Sequence, residues 1–134
     1  MELDNVKAAW KLMYEAGINF IDTAPAYGDG VSEEIVGMLV RGVPRESVVV
    51  ETNFSGLPTK LENYLHPVDA PVRMLKRSLE RLKLDYVDIY MVHGPIRPQS
   101  ISNVTKGLVH CVKQGLTRAV AIAKYDKDDL PPPE

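Results

Sequence analysis

Residues 48–54 read VVVETNF: three β-branched residues running into a carboxylate, a hydroxyl, an amide and an aromatic ring. A run of this kind suits a short buried strand. What flanks it decides the fold. Before it, Ser32 stands as the N-cap of a helix carrying Ile35, Val36 and Leu39, with Gly42 and Pro44 punctuating its end. After it comes a loop-like stretch from Phe54 to Pro67, containing Gly56 and Pro58. Asp69 then caps the next helix, with Pro71 in its first turn. Val72, Leu75, Leu79 and Leu82 form that helix's apolar face, while Arg73, Lys76, Arg77, Glu80, Arg81 and Lys83 largely face water.

The same unit recurs outward in both directions. Leu3, Val6, Trp10 and Met13 mark one face of a first helix, ended by Gly17, and INFID (18–22) follows as a strand ending at Asp22. On the other side, DYVDIYMVH (85–93) is a third strand. Ser100 caps a helix bearing Ile101, Val104, Leu108 and Cys111 that stops near Gly115, and TRAVAIA (117–123) is a fourth strand. A further helix barely begins before PPPE, so a domain over 1–130 with a proline-rich tail at 131–134 is expected. The order is αβαβαβαβ. Strands separated by helices pair in parallel through right-handed crossovers. This pattern admits an open doubly wound sheet or a piece of a closed barrel. Neither GxGxxG nor GxxxxGK[ST] follows a strand, which counts against a classical dinucleotide fold and a P-loop.

Bulk composition narrows the function classes. The 134 residues, 45% hydrophobic and 25% charged, suffice for one domain with a real core. A net charge of −2 with interspersed signs lacks the basic footprint of a nucleic-acid binder. The lone cysteine, Cys111, excludes an internal disulfide and offers no zinc spacing; at a helical position it reads as a small core hydrophobe. No apolar stretch approaches membrane-spanning length, and MELDNVKAAW is not a secretory signal, so a cytoplasmic setting is expected.

Parallel α/β folds place their sites at the C-terminal ends of strands. Asp22 closes the first strand, with Tyr27 in the loop beyond it, while Asn53 closes the second and His93 the third. A tyrosine phenol could protonate a carbonyl oxygen as hydride reaches its carbon, with a histidine orienting the carbonyl. With a free pKa of about 10, the phenol needs a nearby cation for this work, held in turn by a carboxylate. The cation is the component missing from this set. Taken singly, Asp22 as a loop cap, Tyr27 as a packed ring and His93 as a satisfied strand-end residue are the plainer readings.

The segments GINFIDTAPAYGDGVSEEIVG, VVVETNF, SLERLKLDYVDIYMVHGP and KQGLTRAVAIAKY, in this order, resemble the aldo/keto reductase family. The resemblance implies part of a (β/α)₈ TIM barrel, from its first helix through its second to fifth strands, with four parallel strands here. It implies NADP(H)-dependent reduction of an aldehyde or ketone to an alcohol. Asp22 then matches the supporting carboxylate, Tyr27 the general acid and His93 the substrate-orienting histidine. Asn53 occupies the lysine position, and Lys60 and Lys124 are the nearest alternative cations in sequence. Ala123 and Lys124 fall where the family presents a serine–asparagine pair to the nicotinamide carboxamide. The family's later strands, which hold the cofactor's phosphates, have no counterpart in the chain. The two expectations are a reductase acting on a small carbonyl substrate, and a catalytically inactive reductase-like scaffold or interaction fragment. Open sheet edges make self-association a further expectation.

Overall fold

A computed structural model describes residues 3–54, 65–95 and 101–126. The elements are helix α1 (Leu3–Glu15), strand β1 (Phe20–Thr23), helix α2 (Val31–Val40), a 3₁₀ turn (Arg45–Ser47), strand β2 (Val49–Phe54), helix α3 (Ala70–Leu82), strand β3 (Val87–Val92), helix α4 (Ile101–Lys113) and strand β4 (Thr117–Ile122). Among the described residues the strands form one parallel sheet in the order β1-β2-β3-β4. Sequential order without a reversal separates a barrel segment from a doubly wound sheet, in which the order turns back at a switch point. The fold is therefore part of a (β/α)₈-type barrel, the one of the two arrangements left open by the strand–helix pattern that the resemblance implies.

Helices α2, α3 and α4 contact one another in chain order and make a single layer over the sheet. Val50, Thr52 and Phe54 of β2, with Tyr90 and Val92 of β3, bury their side chains. They share the core with Val36 and Val40 of α2, Leu75, Leu79 and Leu82 of α3, and Val104, Leu108 and Cys111 of α4. Phe54 and Tyr90 pack with ring centroids 6.1 Å apart, and the Tyr90 hydroxyl donates to the Pro71 carbonyl at 3.3 Å. Burial pushes the Tyr90 hydroxyl well above its ordinary value and the Cys111 thiol up to about 12. Cys111 is thus the core residue expected of it.

Several boundaries move for local reasons. The first strand begins at Phe20 because the Ile18 amide donates to Met13 O, closing α1 behind Gly17 at φ +87°. Helix α1 buries Trp10 but leaves Leu3 and Met13 exposed, so its expected apolar face is only partly covered. Ser32 is not the cap of α2. Gly28, Asp29 and Gly30 all take positive φ, Gly30 is the N-cap, and the Ser32 hydroxyl instead meets that of Thr23 at 2.8 Å. Asp69 caps α3 by position, without a side-chain cap bond. Arg81, expected at a solvated face, is held against buried Glu33. The stretch 55–64, the Ser100 cap and the 131–134 tail lie outside the described residues.

Candidate functional site

Parallel pairing puts the ends of all four strands at one edge of the sheet, and most of the sequence-derived positions gather there. Asp22 is the penultimate residue of β1 and Asn53 that of β2, while His93 and Ala123 stand one residue beyond β3 and β4. Tyr27 sits in the turn between β1 and α2, 39% exposed, its amide bonded to Ala24 O at 3.1 Å. The His93 amide extends the ladder to Phe54 O at 3.2 Å, leaving its ring half-buried. Lys124 is exposed with φ +58°, and Lys60 lies outside the described residues.

Asn53 is the best-defined member. Its side chain is 1% exposed, and Nδ2 donates to both Asp22 Oδ1 and Thr23 O at 2.9 Å. Both partners are acceptors, so only the NH₂ end of the amide can face them. Oδ1 points the other way, buried and without a hydrogen-bond partner among the described residues. Asn53 thus ties β2 to β1, and both of its donor hydrogens are used on β1. Among the described residues, no hydrogen bond links the Tyr27 phenol or the His93 ring to this pair.

Glu51, two residues earlier on the same face of β2, pairs in register with Asp22. Burial, and secondarily the charge of Asp22, raise its carboxyl above the ordinary glutamate range. The folded state therefore holds this proton more tightly than the unfolded chain, so stability is lost as pH rises from the ordinary glutamate value through the raised one. Glu51→Gln should remove that loss. Urea midpoints measured across mildly acidic to neutral pH are expected to fall for the parent chain and to stay flatter for the variant. Equal slopes would exclude Glu51 as the source.

Sequence reasoning missed two networks, one beside this edge through Thr52 and one at the opposite, N-terminal ends of the strands. Glu33 of α2, fully buried, accepts from Thr52 Oγ1 at 2.7 Å and from Arg81 Nε at 2.5 Å. Asp88 of β3 accepts from the Val50 amide at 2.9 Å, Arg45 at 2.7 Å and Arg118 at 3.3 Å. Both guanidinium groups also lie over the Tyr86 ring, 4.2 and 4.4 Å from its centroid. Polar residues inside otherwise apolar helix and strand runs were the only signal available for either network. A groove of about 380 Å³ lined by Glu34, Met38, Arg41 and Glu80 lies on the helix layer, not at the strand ends.

Comparison with known proteins gives a consistent result. The model of a family described as "Aldo/keto reductase family" matches residues 1–131. The chain is 35% identical to the NADH-specific methylglyoxal reductase of Escherichia coli, over 87% of this chain and 40% of that protein. It is 36% identical to an aldo-keto reductase of Mycolicibacterium vanbaalenii, over 96% of this chain and 44% of that protein. Among solved structures, an aldo-keto reductase from Klebsiella pneumoniae in complex with NADPH superposes with a TM-score of 0.81 at 28% identity, covering 95% of this chain and 42% of that one. The chain spans about two fifths of the length of the curated relatives it matches.

Proposed function

The chain belongs to the aldo/keto reductase family, and on that premise we propose that it is a reductase-like scaffold or interaction fragment without independent NADP(H)-dependent carbonyl reduction. Asp22, Tyr27 and His93 hold the positions of a proton-donating and substrate-orienting set, but the cation needed to lower the phenol's pKa is replaced by Asn53. The carrying observation is the use of that amide: Nδ2 donates to Asp22 and Thr23, so no donor hydrogen remains to stabilise a phenolate. An amide also lacks the full charge that makes such a contact strong.

The residues at the end of β4 do not fit the nicotinamide half of the cofactor. The amide of Ala123 is spent on Val92 O at 2.9 Å, and its methyl side chain offers no hydroxyl. Lys124 replaces a flat amide with a flexible, exposed cation. The second reading, reduction of a small aldehyde or ketone with NADPH, is supported by family membership and by the positions of Tyr27 and His93 at the shared edge.

Fluorescence titration of the purified chain with NADPH, with mass measured on the same sample, separates the two. No saturable binding and no NADPH-dependent reduction of a test aldehyde are expected, with Asn53→Lys unchanged in cofactor binding. Saturable binding together with turnover by the parent chain would overturn the scaffold reading.

A further inference from the structure

We propose that a second copy of this chain closes the sheet into an eight-stranded parallel barrel, β4 of each copy pairing with β1 of the other about a two-fold axis along the barrel. Both edge strands lie open within the described fold: β1 pairs only with β2, and β4 only with β3. The large apolar side chains left exposed on strand-edge segments concentrate there. Ile18, Phe20, Val120 and Ile122 are 43% to 53% exposed, whereas β2 and β3 expose no comparable residue. Exposed apolar edges of this kind invite pairing with another chain.

Barrel geometry fixes how the edges must meet. Closure of eight parallel strands carries a shear of about 8 residues, so each four-stranded half contributes an offset of about 4. The line perpendicular to the strands runs through Phe20, Val49, Val87 and Thr117. A four-residue offset in one direction would set β1 of the second copy against 113–116, the helix end and turn, where no strand exists to pair with it. Only the other direction overlaps the strands, and it sets 18–23 against 119–124.

This register is complementary in size and in charge. Ile18 falls opposite Ala119 and Phe20 opposite Ala121, large against small, as interlocking layers require. Ile21 meets Ile122 on the opposite side of the sheet. At the C-terminal edge, Asp22, exposed and beside buried Glu51, comes next to Ala123 and Lys124 of the second copy. Asp22 therefore comes near Lys124 twice, at two interfaces made equivalent by the symmetry. The candidate site would then be shared, with Lys124 of one copy lying beside Asp22 of the other.

A cysteine pair at Asp22→Cys and Ala123→Cys tests the register directly. Within one chain these positions lie on opposite edges of the sheet, three strand steps of about 4.8 Å across it. Asp22 is level with Ala119, so Ala123 also lies four residues further along the sheet, and the two are more than roughly 14 Å apart. That exceeds the ~7 Å reach of a disulfide. Any disulfide joining them therefore links two copies, while native Cys111 is fully buried and does not compete. Under mild oxidation a covalent dimer is expected, and light scattering of the parent chain should give twice 14.9 kDa. Phe20→Asp, checked for retained helical circular dichroism, should halve that mass. A parent chain of 14.9 kDa that forms no cross-link overturns the proposal, as does an open ladder of larger species. Neither mass nor cross-linking depends on NADPH, so this inference can fail while the scaffold reading stands.

Discussion

Arg81→Ala is expected to destabilise the fold by about 3–5 kcal/mol, the cost of leaving a buried charge without its partner. Glu33 is fully buried beneath α2, and its two carboxylate oxygens are held by Thr52 and Arg81. Removing the guanidinium leaves one hydroxyl to compensate a full negative charge. An exposed ion pair would be worth no more than about 1 kcal/mol, so the size of the loss distinguishes the two situations. Gly30 is part of the same arrangement: a Cβ there would stand 2.7 Å from Arg81 Cδ, across the path by which the arginine reaches Glu33. Since domains hold only about 5–15 kcal/mol in all, the variant should show a large drop in urea midpoint. Adding Glu33→Gln in the Arg81→Ala background should recover much of it, because a neutral amide is far easier to bury than a carboxylate. A loss below about 1 kcal/mol would mean that Arg81 does not hold Glu33.

The contrast between what sequence conveyed and what it hid follows from range. β-branched runs and apolar helix faces are local, so the four strands and four helices were legible, as was the collection of Asp22, Asn53 and His93 at strand ends. That Asn53 stands where the family carries a lysine came from the resemblance, not from any local pattern. What Asn53 does with its amide was not legible, since its Thr23 partner lies 30 residues away on another strand. Arg81 shows the same limit more sharply. Its place in a basic helical run suggested solvent, yet its partner is 48 residues distant. Ser32 failed differently: the positive φ values of Gly28, Asp29 and Gly30 moved the helix start to Val31, and its hydroxyl went to Thr23 instead. The register that would bring Ile18 and Phe20 to face alanines likewise depends on sheet pairing, which no local pattern reveals.

Gly37→Ala should destabilise the chain even though local preference argues the reverse. In a helix interior, alanine is favoured over glycine by about 0.5–1 kcal/mol, and α2 is an ordinary helix at this point. The outcome is decided by what lies across from it. A Cβ at position 37 would stand 2.7 Å from the carbonyl carbon and 2.9 Å from the Cα of Leu82, and closer still to that residue's carbonyl oxygen. These are backbone atoms at the C-terminal end of α3, where Lys83 takes φ +55° and its amide closes the helix onto Leu79 O. They cannot rotate aside as a side-chain tip could. The helices must separate, and α2 carries Glu33 while α3 carries Arg81, so separation also strains the buried ion pair. Overpacking of this kind costs about 1–3 kcal/mol, which outweighs the propensity gain. Thermal or urea unfolding should therefore show a net loss, with Arg81→Ala and Gly37→Ala less than additive because both loosen the same α2–α3 contact. A stabilised Gly37→Ala chain would mean that the two helices can move apart freely, and that the close approach at Leu82 is not what holds Glu33 and Arg81 together.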